Sequence, residues 1–223
     1  SPYKSPTDMG VNMAGNCIFD DEAVSDASRR EIVRRYYQAM CDLRTGRGEE
    51  SAVAKIELLM NKAEITVDIN PTVAASLRKA EETGMPAVAI ELPDGQVITG
   101  KTSSLLGASS AALLNALKVL AGLDDSLHLI APEVIEPIQH LKISHLGNHN
   151  PRLHTDETLI ALSISAVTDP NAERAMEHLA ELSGCDAHST VILSQVDTDV
   201  FRKLGVNMSC EPRYQTKKLY HKR

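Results

Sequence analysis

The 223-residue chain reads as an α/β protein, a layered mixed sheet with flanking helices, preceded by a small helical subdomain. Three observations predict this. Two apolar runs, residues 87–92 and 96–99, flank Pro93-Asp94-Gly95, where Pro presets φ, Asp bonds back to the backbone and Gly accepts a positive φ; together they make a β-hairpin. The stretch 103–121 is helical and so apolar, with Asn115 and Lys118 its strongly polar interior positions, that other elements must cover most of its faces. Beyond it, short β-type segments alternate with helical ones, as expected of helices laid against a sheet.

In chain order, residues 1–24 hold turn formers and the run Met9-Gly10-Val11-Asn12-Met13-Ala14-Gly15 without periodicity. They read as an extended loop, either a linker or a segment lying close against a partner surface. Residues 25–84 form the helical subdomain. A helix over 26–44 carries the stripe Ile32, Val33, Tyr36, Tyr37, Met40 and Leu43, and after the break at Gly46-Arg47-Gly48 a second over 49–63 carries Val53, Ile56, Leu59 and Met60. Asn70 as N-cap and Pro71 in the first turn open a third helix ending near Gly84.

Residues 85–223 form the α/β domain. After the hairpin and central helix, 127–130 reads as a short strand, and Pro132 opens a helical piece that Pro137 interrupts. Residues 145–154 are a polar loop feeding a second, nearly all-apolar helix over 157–167, with Thr155 as N-cap. Asp169-Pro170 starts an amphipathic helix to Leu182; a strand over 188–193, a short helix over 197–204 and a strand over 206–210 complete the pattern.

Composition narrows the function. Hydrophobic and charged fractions of 43% and 24% are ordinary for a soluble domain. Aromatic residues make up only 3%, with no Trp, which argues against the stacking platforms of single-stranded nucleic-acid binding. A net charge of −7 argues against duplex binding, because it repels phosphate over the surface as a whole. The tail is the exception: Arg213, Lys217, Lys218, Lys222 and Arg223 occur without an acid, a solvated end or a dock for an acidic neighbour. Cys17, Cys41, Cys185 and Cys210 are far apart and form no C-x-x-C pair. With no signal peptide and no apolar run of bilayer length, the expectation is reduced thiols in a cytoplasmic protein with no membrane partner. The opening Ser1-Pro2 lacks an initiator Met, so a fragment of a longer protein is expected.

The blocks SPYKSPTDMGVNMAGNCIFDDEAV, REIVRRYYQAMCDL, KIELLMNKA, LPDGQVITGKTSSLLGASSAALLNALK, NPRLHTDETLIALSISA and CEPRYQTKKLYHK carry a resemblance. In this order, over essentially the whole chain, they resemble the C-terminal half of an uncharacterised bacterial family known only as a domain of unknown function. The resemblance implies an upstream half with a glycine-rich stretch like a phosphate-binding loop. It also implies a C-terminal part similar in fold to cytidine deaminases. It brings no established activity.

Zinc deaminases place H-x-E at the helix after the hairpin and P-C-x-x-C at the next, because a His/Cys/Cys site holds the metal while a Glu moves protons. Residues 103–114 contain no His, Cys or Glu, and P-C-x-x-C is absent from the chain, so the expected fold is deaminase-like without the zinc site. Gly95-Gln96-Val97-Ile98-Thr99-Gly100-Lys101-Thr102 satisfies G-x-x-x-x-G-K-[ST]. Val97 and Ile98 are nevertheless β-branched and suit a strand, and Asp94-Gly95 suits a hairpin turn, so the P-loop reading is the weaker one. Lys101, Thr102, Ser103 and Ser104, at the expected helix start, could bind phosphate or carboxylate, or merely cap the helix.

In the polar loop, His145, His149, His154, Asp156 and Glu157 have metal-ligand chemistry at spacings that match no standard site, and the two acids suit a helix N-terminus. Asn150 and Arg152 could recognise an anion. Cys185 and His188, with Cys210 distant, could pair as nucleophile and base, although a buried thiol beside a strand is the commoner arrangement. No cofactor and no resident metal is read from the sequence. The expected role is the C-terminal part of a larger protein, giving anion-binding groups and subunit contacts at a cleft shared with its N-terminal half. The expected partners are that half, further copies of the chain and a phosphate-bearing small molecule. A metal hydrolase built on residues 145–157, or a purely structural oligomerisation module, are the alternatives.

Overall fold

A computed structural model describes residues 21–215; the glycine-rich run at the start and most of the basic tail lie outside them. Helix α1 (Asp21–Arg44) pairs with α2 (Glu50–Lys62), burying Val33 and Tyr37 from the stripe of the first and Met60 from that of the second. Helix α3 (Pro71–Thr83) begins where Asn70 accepts from the Thr72 N–H at 3.2 Å and ends where Gly84 turns left-handed at φ +65°. Strands β1 (Ala87–Glu91) and β2 (Val97–Lys101) are antiparallel, with Ala89 opposite Thr99. At the turn, Asp94 accepts from Gln96 N–H at 3.0 Å, and Gly95 holds φ +86°. Continuous strand through Gly100 excludes a P-loop wrapping there.

The remaining strands are β3 (Asp186–Ser189) and β4 (Asn207–Cys210), giving the order β2-β1-β3-β4 with β3 and β4 parallel. This is the mixed sheet the pattern of elements predicts. Helix α4 (Ala108–Leu120) covers one face, its Leu113 and Leu117 fully buried with Val88 and Ile90 of β1. It approaches so closely that a Cβ on Gly100 would sit 2.1 Å from Ala112 N, and Asn115 Nδ2 donates to the Thr99 carbonyl at 3.0 Å. Helices α3 and α1 lie against the sheet's other face, where Tyr37 rests on the His188 ring at 4.6 Å. At one edge Arg30 bonds Glu91 and reaches Asp186 at 3.3 Å, and Arg34 reaches Asp186 at 2.8 Å.

Several sequence expectations need correction. The central helix starts at Ala108 rather than 103, because Ser103 folds a turn of its own, accepting from the Leu105 and Leu106 N–H groups at 3.2 and 3.1 Å. Residues 127–130 are not a strand: Asp124 closes a turn onto Ser126 N–H at 2.8 Å, and Leu129 and Ile130 are buried without a sheet partner. Pro137 does not break α5 (Pro132–His140), since it removes only the bond to the Glu133 carbonyl; the helix widens later, in a π turn at Leu141–His145. Helix α6 (Thr155–Ser165) is capped by His154, not Thr155. It is also less buried than its composition suggested, with Ile160, Ile164 and Val167 60%, 59% and 82% exposed. Helix α7 (Pro170–Glu177) is capped by Asp169 as expected but ends before Leu182, and α8 (Gln195–Lys203), capped by Ser194, begins two residues before the expected start. The strand expected over 188–193 ends at Ser189, whose hydroxyl bonds Val191 O at 2.7 Å and turns the chain away from the sheet.

Candidate functional site

The departure of the chain at Ser189 opens a cavity of about 320 Å³. One wall is the start of α4, with Gly107, Ala108, Ser109 and Ser110; another is the loop Asn150 to His154; the third is Val191 to Ser194 with Asp197 of α8, and Thr102 closes the base. Main-chain bonds fix the first two walls to each other: Leu153 N–H donates to Leu105 O at 3.0 Å, Gly107 N–H to Leu153 O at 3.2 Å, and the Ser110 hydroxyl to the same carbonyl at 3.0 Å. From beneath, buried Lys142 donates to the Arg152 carbonyl and to Glu157, each at 2.6 Å, and Glu157 in turn accepts from His154 N–H at 2.9 Å. The loop is therefore held at both ends.

Three helix N-termini meet around this space, those of α4, α6 and α8, and each brings first-turn N–H groups without intrahelical partners. At α6 and α8 one carboxylate serves both: Asp197 Oδ1 accepts from Thr155 N–H and hydroxyl, both at 2.9 Å, while Oδ2 accepts from Ser194 hydroxyl at 2.9 Å and faces His154 Nδ1 at 3.3 Å. Nδ1 is thus the protonated ring nitrogen, and Nε2 has no partner among the described residues. The hydrogen bond to Asp197 raises the His154 pKa above the ordinary histidine value despite burial. Burial pushes the Asp197 carboxyl up, and the bonds from His154 and Thr155 outweigh it, leaving its pKa below the usual carboxylate range. At α4 nothing plays the part of Asp197. Ser109 and Thr102, only 4% and 3% exposed as residues, line the cavity and carry hydroxyls with no hydrogen-bond partner among the described residues.

Of the residues singled out from sequence, the structure brings Thr102, Asn150 and Arg152 to this cavity together with His154. Lys101, Ser103 and Ser104 lie outside its lining: Lys101 is exposed at the end of β2, and the Ser104 carbonyl accepts from Gln139 at 3.0 Å. Arg152 crosses to the Ser103 carbonyl, and its own N–H is held by Asn150 Oδ1 at 3.1 Å. Cys185 and His188 do not form a pair. His188 is fully buried, held by Ser209 at 2.7 Å and Glu211 at 3.1 Å, and burial raises the Cys185 thiol. Burial also pushes Cys41 up to about 12 and Cys210 up to about 11, far from thiolate chemistry. Among the described residues no group of three or more His, Cys, Asp or Glu could hold a metal ion, and His154 is committed to Asp197 instead of His145 or His149.

Sequence reading missed Ser109, Ser194 and Asp197. Ser194-Gln195-Val196-Asp197 was there to be read as a capping box, Ser at N-cap and an acid three residues on.

Comparison with known proteins names the lineage. A family model described as "Domain of unknown function DUF1846, C-terminal" matches residues 68–220, and its counterpart "Domain of unknown function DUF1846, N-terminal" matches residues 1–64. The chain belongs to the DUF1846 family. Curated relatives include a UPF0371 protein of Streptococcus pyogenes serotype M5, 55% identical over 222 residues, and one of Streptococcus thermophilus, 56% identical over the same length. Each match covers 100% of this chain and 45% of the relative, so the chain spans less than half the length of the curated relatives it matches. The boundary between the two DUF1846 models falls in the turn between α2 and α3. No helix among the described residues is long and apolar enough to cross a membrane.

Proposed function

We propose that this DUF1846 chain supplies the anion-binding side of a cleft for a phosphate-bearing small molecule, completed in the longer protein by the sequence that the relatives carry beyond the matched region. The observation that carries it is the pair of hydroxyls of Ser109 and Thr102, without partners among the described residues, in a cavity at the start of α4. A hydroxyl that faces a cavity at a helix N-terminus with its donor unused suits an acceptor-rich ligand. Asn150, Arg152 and His154 add donors around the same space. Exposed Ile160 and Ile164 on one face of α6, with exposed Val167 in the turn after it, support subunit contacts as the second part of the role. Lys101, Ser103 and Ser104 take no part in this reading.

The test is calorimetric titration of the full-length protein with inorganic phosphate and with phosphate monoesters. Ser109→Ala should weaken binding by about tenfold, the scale of one hydrogen bond to a charged group, with an unchanged melting temperature because its hydroxyl holds nothing in the fold. Equal affinities of the wild type and Ser109→Ala would refute the placement. A preference for esters over inorganic phosphate would assign the adjoining space near Pro86, Val191 and Tyr214 to the ligand's organic part.

A further inference from the structure

We infer that His154 is the charged contact of this cavity, donating through Nε2 to a dianionic tetrahedral head group while Asp197 holds the ring from behind, so that occupancy of the site is coupled to pH. The inference rests on the anion-cavity reading and adds to it a residue, a charge state and a ligand charge. Three geometric facts carry it. His154 lines the cavity, its Nδ1 is fixed 3.3 Å from Asp197 Oδ2, and Nε2 is the ring atom left over for a ligand. Asp197 in turn is immobilised by four donors, Thr155 N–H and hydroxyl, Ser194 hydroxyl and His154 itself, so the ring cannot turn without breaking that set. The hydroxyls of Ser109 and Thr102, without partners among the described residues, line the same cavity as the ring, which suits a group that accepts on several sides.

The charges that face His154 come from every element around it. Asp197 on α8 and Glu157 on α6 favour the imidazolium, Lys142 in the π turn opposes it, and Arg152 stands beside it in the cavity lining. Glu157 is already bonded to Lys142 at 2.6 Å, so its pull is largely cancelled, and Asp197 is the deciding partner. An anion bound at Nε2 is closer to the imidazolium than to the Asp197 carboxylate that Nδ1 faces, so the ring's positive charge acts on it first. A dianion gains more from that charge than a monoanion does. Loss of the His154 proton removes the charge and leaves the Asp197 carboxylate uncompensated beside the ligand.

Sodium sulfate is the probe that separates protein from ligand titration, since sulfate stays dianionic across the whole range while phosphate does not. Titrated calorimetrically into the full-length protein between pH 5.5 and 9, sulfate should bind at the acid end and lose about tenfold or more in affinity as pH rises, with the midpoint above the ordinary histidine value. In His154→Gln the affinity should be weak and flat with pH. In Asp197→Asn the midpoint should move to lower pH, and the His154 ring resonance followed by NMR should titrate lower in that variant and higher in wild type once sulfate is added. The ring signal moves only if Nε2 meets the anion, so a purely capping role for His154 would leave it unchanged on adding sulfate. Sulfate that binds wild type with no pH dependence, or binds His154→Gln equally well, overturns the inference while leaving the anion cavity standing. Absence of binding by sulfate and by every phosphate ester overturns both.

Discussion

Replacing Gly100 with Ala asks how rigidly the sheet sets the position of the helix that carries the cavity. The new Cβ would lie 2.1 Å from Ala112 N, 2.5 Å from Ala112 Cα and 2.6 Å from Ala111 C, all backbone atoms that cannot step aside as a flexible side chain would. Moving the nearest of these from 2.1 Å out to the 3.4 Å of ordinary contact means α4 must retreat by about 1.3 Å. That stretches the 3.0 Å bond from Asn115 to the Thr99 carbonyl past usefulness and loosens Leu113 and Leu117 against Val88 and Ile90. Overpacking costs roughly 1–3 kcal/mol and the lost hydrogen bond about 1 more, so a destabilisation of about 3 kcal/mol is expected. With a urea slope near 2 kcal/mol per molar, the unfolding midpoint followed by far-ultraviolet circular dichroism should fall by about 1.5 M. Gly95→Ala is the control: its φ of +86° disfavours Ala, yet nothing lies within 4 Å of the added carbon, so only about 1–2 kcal/mol of backbone strain is expected. If Gly100→Ala unfolds at the same urea concentration as Gly95→Ala or above it, the close approach does not set the helix position. Ser109 travels with α4, so Gly100→Ala should also weaken sulfate binding.

Three further outcomes are expected. Asp186→Ala removes the acid that Arg30 and Arg34 share, leaving Arg30 with Glu91 and Asp26 and Arg34 with Glu31, and should cost about 1–2 kcal/mol after allowance for arginines that are about a fifth exposed, read as a lower melting temperature; no change would show the cluster to be ornamental. Phe201→Ala removes a fully buried ring from the main core and should cost about 3–5 kcal/mol in urea unfolding. The stability gap between wild type and His154→Gln should depend on pH. The raised His154 pKa makes its contribution full below the unfolded value of 6.5 and lost as pH rises through the folded value, whereas the lowered Asp197 pKa makes its contribution present above 3.8 and lost as pH falls through the folded value. The gap should therefore be widest between roughly pH 4 and 6.5 and should shrink in alkali; a gap constant with pH would contradict the pairing.

The elements legible in the sequence were those whose signal is local. Pro93-Asp94-Gly95 specifies its turn by backbone chemistry alone, and Asn70-Pro71 and Gly84 punctuate α3 for the same reason. The failures share a different cause. Residues 127–130 are apolar enough for a strand, but the Asp124 turn and the Lys118 bond to the Asp125 carbonyl at 2.6 Å place them away from any sheet edge. Ser103 looked like the start of a helix because nothing local distinguishes a capping serine from one that closes a turn; only the run of N–H groups that it satisfies decides. The exposure of Ile160, Ile164 and Val167 was also beyond a composition argument, since an apolar helix reads as buried whether the cover is in the same chain or not.

The cavity was half legible for a reason that bears on what it does. Asn150 and Arg152 drew notice as a polar pair in one loop, and Thr102 as part of a short polar run, but nothing in their spacing says that Thr102 and Ser109 line one cavity with His154. The parallel bridge between Leu106 and Leu153 and the buried Lys142 beneath make that juxtaposition, and the bridge joins residues far apart in the chain. Asp197 is the sharper case. Read locally it is a first-turn acid of α8, whose cap is Ser194; yet its carboxylate accepts from the first N–H of α6 and orients His154. A residue that only capped would need one N–H partner, and burial of a carboxylate without further donors would be costly. The Asp197 carboxylate has four polar neighbours, Thr155 N–H and hydroxyl, Ser194 hydroxyl and His154 Nδ1, more than capping requires, and one of them is a ring nitrogen of a residue that lines the cavity. The α4 terminus beside it has the opposite character, with hydroxyls but no acid to satisfy its N–H groups. One wall carries a charge fixed in place and the other carries donors left open, and an anion of the right shape completes both.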